Sequence, residues 1–130
     1  MKITVDLNVL LDVAQNRLPH YHASEEVLHR ARLGEFAAVL PGHALTTLHY
    51  IIEKYSGTGL ANQTVDGFLA DFAVHPVDKP NFQRARQLPL KDFEDAVVAV
   101  VAEATGSEYI ITRNVADFGM SGVKVLNPWD

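Results

Sequence analysis

The sequence predicts an α/β fold, in which a five-stranded parallel sheet forms the middle of three layers and helices cover both of its faces. Two observations carry this prediction. Five short apolar segments of strand length recur along the 130 residues, and segments with helical spacing of apolar residues lie between them. Parallel strands joined by right-handed crossovers place the connecting helices on both faces of the sheet.

Length and composition set the broad class. A chain of 130 residues with 48% hydrophobic and 21% charged residues fits a single globular domain over residues 1–130. The absence of cysteine excludes disulfides, zinc–thiolate sites and a thiol nucleophile, and it suits a reducing cytoplasm. No apolar run reaches the roughly 18 residues of a membrane helix, and acids interrupt the apolar N-terminus. We therefore expect a cytoplasmic protein without a membrane segment.

The predicted strands are apolar runs that end at turn residues or at polar side chains. Pro41-Gly42 ends the second run, and Asp6 closes the first. The five strands are predicted at residues 2–6, 36–40, 73–77, 108–112 and 123–127.

The predicted helices fill the segments between the strands, and several crossovers contain two of them. The first runs from Val9 to Asn16, before the turn Arg17-Leu18-Pro19. The last begins with acids and is then apolar almost all round, which predicts deep burial. "SGTG" at 56–59 follows a helix, so a flexible turn is a better interpretation than a phosphate loop. The remaining helices are predicted at residues 22–35, 43–57, 60–72, 80–87 and 92–106.

Acidic and amide side chains follow the predicted strands at the edge where function is expected. In open parallel sheets this edge lies at the carboxyl ends of the strands. Four pieces of chain deliver such residues to it: the end of strand one, the helix that follows, the start of the buried helix, and the segment after strand four. These residues are Asp6, Asn8, Asp12, Asp92, Asp95, Asn114 and Asp117.

Taken one at a time, these residues also have structural explanations. Asp6 or Asn8 can cap the first helix, Asp92 with Asp95 resembles a capping box, and Asp117 suits an Asx turn. Together they favour another interpretation, because two carboxylates about 5 Å apart repel by roughly 3 kcal/mol at an effective dielectric near 20. Converging acids need a cation or a proton. Oxygen ligands without cysteine or paired histidines suit Mg²⁺ or Mn²⁺.

The sequence resembles the PIN-domain family, particularly its VapC-like branch. The matching pieces are "VDLNVLLDV" (5–13), "KDFEDAVVAVVAEATGSEYIITRN" (91–114) and "ADF" (116–118). The resemblance implies a metal-dependent endoribonuclease that leaves a 5′-phosphate and a 3′-hydroxyl, often the toxin of a toxin–antitoxin pair. It implies RNA as substrate, an antitoxin as partner and a homodimer. It also implies Asp6, Asp95 and Asp117 as metal-binding acids, with Asn8, Thr112, Asn114 and Asp92 as supporting polar residues.

One position departs from the family pattern. The family usually places a glutamate in the helix after strand two, where this chain has Thr47; Glu53 lies almost two turns further along. A non-catalytic PIN module that binds protein or RNA is therefore an alternative to the nuclease. A phosphotransfer receiver domain is disfavoured, because receivers have one helix in each crossover.

Overall fold

The computed structural model describes residues 1–119 and 121–130, and it confirms the three-layer α/β/α fold with a five-stranded parallel sheet. The strands are β1 (Lys2–Val5), β2 (Ala37–Pro41), β3 (Ala73–His75), β4 (Tyr109–Ile111) and β5 (Lys124–Leu126). The helices of the described residues are α1 (Leu7–Ala14), α2 (Tyr21–Arg32), α3 (Gly42–Ser56), α4 (Thr58–Asp71), α5 (Lys79–Ala85) and α6 (Phe93–Thr105). A 3-10 turn, Val115–Phe118, joins β4 to β5.

The strands lie in the order β3-β2-β1-β4-β5, and every neighbouring pair is parallel. β1 is central because its apolar side chains are buried on both faces of the sheet. The chain moves outward from β1 to β2 and β3, and then crosses to β4 on the other side. The crevice between the carboxyl ends of β1 and β4 is therefore the topological switch point, where ligands bind in open α/β sheets.

Two hydrophobic layers fix the helices to the sheet. On one face, Ile3 and Val5 of β1 pack in a cluster with residues of α1 to α4. On the other face, Ile110 of β4 packs against Val98, Ala99 and Ala102 of α6. Within the described part of the chain, no helix has both the length and the hydropathy to span a membrane.

The helix boundaries differ from the predicted ones where a cap sets them. α1 begins at Leu7, two residues before the predicted start, because the Asp6 carboxylate caps it by accepting a hydrogen bond from the Leu7 backbone N–H. α4 begins at Thr58, so the predicted turn at "SGTG" contracts to Gly57, whose φ of 92° suits glycine. The edge strands β3 and β5 have three residues each, shorter than predicted.

α6 approaches the switch point with its N-terminus. Asp92 caps this helix, since its carboxylate accepts a hydrogen bond of 3.0 Å from the backbone N–H of Asp95. The helix is fully buried from Ala96 to Ala102. The acids of its first turn are therefore held at the carboxyl edge of the sheet by the most buried helix of the fold.

Candidate active site

Asp6 is buried at the end of β1, where three donors contact its carboxylate. The Leu7 backbone N–H donates to Oδ1 at 2.8 Å, and the Thr112 hydroxyl donates to Oδ2 at 2.8 Å. The Asn8 amide donates to the same Oδ2 at 3.3 Å. Burial raises the pKa of Asp6, while the hydrogen bonds from Thr112 and Leu7 lower it. The site thus contains a desolvated carboxylate with a fixed orientation.

Asp95 is the residue on which the other acids converge. Its pKa is raised to about 7, first by burial and then by the negative charges of Asp6, Asp92 and Asp117, with a smaller effect of Glu94. Acids from β1, from the start of α6 and from the 3-10 turn after β4 are therefore close enough to repel one another. Asp95 is therefore within electrostatic range of Asp6 and Asp117, the other two acids predicted to bind metal.

Two adjoining cavities share Asp92 and Asp95 in their walls. One, of about 190 Å³, also contacts Asp6, Asn8 and Asn114. The other, of about 330 Å³, contacts Lys91 and Asp117. The start of α6 lies between Asp6 on one side and Asp117 on the other.

A polar network fixes the segment after β4. Asn8 donates to the Thr112 hydroxyl at 3.1 Å, and the backbone N–H of Asn114 donates to that hydroxyl at 3.0 Å. The Arg113 backbone N–H donates to Asn8 Oδ1 at 3.2 Å. One hydrogen-bonded network around Asp6 therefore contains three of the predicted supporting residues, namely Asn8, Thr112 and Asn114.

Arg113 connects this network to a buried acid on α1. Its Nε donates to Asp12 Oδ2 at 2.7 Å, and Ser24 of α2 donates to the same oxygen at 3.1 Å. Asp12 is 0% exposed, whereas the Arg113 side chain is 22% exposed. Asn8 and Asp12 share a helix face, as predicted, and both contact Arg113. From the sequence, Arg113, Lys91 and Arg17 are expected near the carboxyl edge, either in contact with the RNA backbone or as solvated surface charges. The sequence does not predict the buried partner of Arg113.

Two further residues at the site were undervalued from sequence. Glu94 was assigned to helix capping, but it lines the cavity that contains Asp6, and burial raises its pKa. His43 was assigned to the surface. Its ring is half-buried, with Nε2 3.3 Å from the Glu94 carbonyl, and burial lowers its pKa. Its place in the first turn after β2 could have indicated that it lies at the carboxyl edge of the sheet.

The helical position of Thr47 is one turn beyond His43, and its side chain is half-buried. The residues that line the two cavities come from other elements. Glu53 is exposed and accepts a hydrogen bond from Thr58, away from the acids. Of the two other cations expected near the edge, Lys91 lines a cavity, whereas Arg17 donates to Gln15.

The donor chemistry of the site fits a hard divalent cation. Asp6, Asp95 and Asp117 offer carboxylate oxygens, and burial together with neighbouring negative charges raises the pKa of Asp95. Among the described residues, no group of three or more histidine, aspartate or glutamate side chains is arranged so that it could hold a metal ion. Mg²⁺ does not require such a group, because it keeps several waters and is usually held by one or two carboxylates.

Comparisons with known proteins agree with this architecture. The family model described as PIN domain matches residues 2–116. No curated protein matches the chain.

Solved structures share the fold at low identity. A VapBC2 structure from Rickettsia felis, bound to a promoter DNA fragment, matches with a TM-score of 0.80 and 15% identity over 100% of both chains. DNA-bound VapBC from Salmonella typhimurium matches with a TM-score of 0.75 and 18% identity over 98% of both. VapC20 of Mycobacterium tuberculosis, described as a sarcin–ricin loop cleaving toxin, has a TM-score of 0.70, 13% identity, and coverage of 83% and 86%.

The first prediction concerns pH. The ordinary pKa of an aspartate is 3.8, and that of Asp95 in the fold is about 7. Between these values the folded state keeps a proton that the unfolded state has lost, so the free energy of unfolding should fall as pH rises from about 4 to 7. Asp95→Asn should flatten this slope in urea titrations with EDTA. Asp66→Asn, at an exposed position of α4, should keep it. An unchanged slope in Asp95→Asn would contradict the assigned repulsion.

The second prediction concerns the buried ion pair. Arg113→Ala leaves Asp12 buried without its cation, so it should lower the free energy of unfolding by about 3 kcal/mol in urea titrations. Asp12→Ala should cost less, because the partly exposed Arg113 can turn to solvent. Adding Asp12→Asn to Arg113→Ala should recover part of the loss. Equal costs for the two alanine variants would mean that burial of Asp12 does not set the energetics.

Proposed function

This chain belongs to the PIN-domain family, and from that premise we propose that it is a metal-dependent endoribonuclease and the toxin of a type II toxin–antitoxin pair. The observation that carries the proposal is the site of Asp95, where burial and then the negative charges of Asp6, Asp92 and Asp117 raise its pKa to about 7. Acids arranged in this way at a switch point suit a cation and a phosphate substrate.

Asp6, Asp95 and Asp117 would hold the cation, Mg²⁺ or Mn²⁺. When bound, the cation supplies Lewis acidity, which lowers the pKa of a coordinated water and offsets negative charge on the phosphate. The chain contributes the fixed orientation of Asp6, through Thr112 and Leu7. Asn8 uses its amide N–H groups to hold Asp6 and Thr112, and Asn114 presents an amide beside Asp6 that can donate to a phosphate oxygen. Lys91 adds a cation beside Asp92 and Asp117.

A non-catalytic module is the second candidate, and Thr47 is the observation that favours it. A threonine hydroxyl cannot supply the charge of the glutamate that the family usually has there. Glu94, which lines the cavity beside Asp6, offers a carboxylate from the opposite helix. The metal titration below separates the two candidates.

The structural relatives bear on the partner. The Rickettsia felis and Salmonella typhimurium structures are described as VapBC bound to DNA, and another match, from Klebsiella pneumoniae, is described as a toxin–antitoxin complex. We extend this to the present chain and propose a cognate antitoxin, with a cytoplasmic site of action. We also propose a homodimer, for which exposed Tyr50, Leu60 and Leu69 of α3 and α4 offer apolar surface.

The third prediction is that RNA cleavage requires the metal-binding acids. Mg²⁺ or Mn²⁺ should raise the melting temperature and support cleavage with 5′-phosphate products. Asp6→Asn, Asp95→Asn and Asp117→Asn should each lower the rate by more than about 100-fold, since loss of even outer-shell partners of a metal costs 10- to 100-fold. Asp66→Asn is the matched control. A folded wild type that cuts no RNA across the titration would favour the binding module, and activity that persists in Asp95→Asn would refute the metal site.

The fourth prediction concerns toxicity. Expression of the wild type should slow bacterial growth, and Asp6→Asn should abolish the effect because it removes the fixed carboxylate. Co-expression of the small protein encoded beside the gene should restore growth. The small protein should also co-purify with the chain. Growth inhibition that is equal for wild type and Asp6→Asn would show that the effect does not come from this site.

A further inference from the structure

A groove with two exposed phenylalanines lies beside the acids. Phe82 of α5 and Phe93 of α6 are 38% and 44% exposed, and their ring centroids are 6.0 Å apart. Together with Val77, Lys79 and Arg86 they line an open groove of about 460 Å³, which we call the aromatic groove. Large aromatic side chains exposed as a pair commonly mark an interaction surface.

The charges along the aromatic groove favour an anionic partner. Lys79 and Arg86 line it, and neither forms a salt bridge within residues 1–119 and 121–130. The acid of the groove, Asp78, already caps α5 by accepting a hydrogen bond from the Asn81 backbone N–H. The whole chain has a net charge of −5, but Lys79 and Arg86 make this groove locally positive. The groove should therefore attract an anionic partner.

The aromatic groove neighbours the candidate active site through Phe93, the first residue of α6. Phe93 lies between Asp92 and Glu94, which line the cavities around Asp95. Lys91 lines the larger of those cavities. A flexible polyanion whose phosphate reaches the acids can therefore continue past the N-terminus of α6 and reach the two rings.

We propose that the aromatic groove binds unpaired bases of a single-stranded RNA next to the phosphodiester held at the acids. The bases stack on Phe82 and Phe93, and Lys79 and Arg86 contact the backbone phosphates. Base–aromatic stacking of this kind tolerates many sequences and requires bases that are free of a duplex. This inference rests on the proposed ribonuclease function and adds to it Phe82, Phe93, Lys79 and Arg86 as a base-binding subsite.

Binding of a fluorescent RNA oligonucleotide to the full chain in EDTA, at low salt, tests the groove without catalysis. Phe82→Ala and Phe93→Ala should each weaken binding by roughly tenfold, as expected for a lost stacking contact. Phe93→Leu should bind as weakly as Phe93→Ala, whereas Phe93→Trp should bind like the wild type. Tyr55→Ala, at a 71% exposed aromatic of α3, is the matched control and should be unchanged. The same oligonucleotide in a duplex should bind weakly to every variant.

The salt dependence supplies a second measurement. Lys79→Gln and Arg86→Gln should each reduce the slope of log affinity against log salt by about 0.7, the value for one phosphate contact on a single strand. Unchanged affinity in both alanine variants would overturn the groove proposal. Full RNA binding by Phe93→Leu would overturn stacking and point to a protein partner, which needs apolar area rather than a flat ring.

The outcome is separable from that of the nuclease proposal. Wild type that binds RNA through the rings but cuts none in Mg²⁺ or Mn²⁺ would refute the nuclease and keep the groove. Cleavage with the same KM in wild type and Phe93→Ala would keep the nuclease and refute the groove. If both proposals hold, Phe93→Ala should raise KM for a long RNA and leave its metal-induced rise in melting temperature unchanged.

Discussion

The buried carboxylate of Asp6 is the constraint on which the rest of the site depends. A charge at the end of the central strand must be hydrogen-bonded, and its donors come from the helix that it caps and from the end of β4. The hydrogen bonds that the Asp6 carboxylate needs therefore determine where α1 starts and favour β4 as a neighbour of β1. It also fixes Asn8 and Thr112, which in turn hold Arg113 and Asn114.

Stability and chemistry compete around Asp95. The fold gains from Asp92 and Asp6 as helix caps, but it concentrates negative charge at the start of α6. The long buried stretch Ala96–Ala102 anchors that helix through apolar packing, so repulsion in its first turn is tolerated. Apolar side chains buried on the two faces of the sheet stabilise the fold. The carboxyl edge of the sheet can therefore keep acids that repel one another.

Much of the fold and part of the site were accessible from the sequence, because they depend on local pattern. Apolar runs and their spacing located the strands, and the carboxyl-edge rule brought Asp6, Asp95 and Asp117 together. The start of α1 was misplaced because Asp6 and Asn8 are both possible caps, and only the hydrogen bond from the Leu7 backbone N–H identifies Asp6 as the cap. The Asp12–Arg113 pair joins residues far apart in sequence, and no local pattern encodes such a contact. The same holds for His43 against Glu94, which depends on how α3 packs beside α6.

The order of the acids along the chain has a consequence for synthesis. Asp6 directly follows the first strand, while Asp117 lies in the turn before β5, the last strand. A ribosome has therefore made nearly the whole chain before the acids can assemble. An interrupted nascent chain contains Asp6 and α1 but lacks β4, whose Thr112 fixes that carboxylate. For the proposed ribonuclease, this chain order delays assembly of the active site until translation is almost complete.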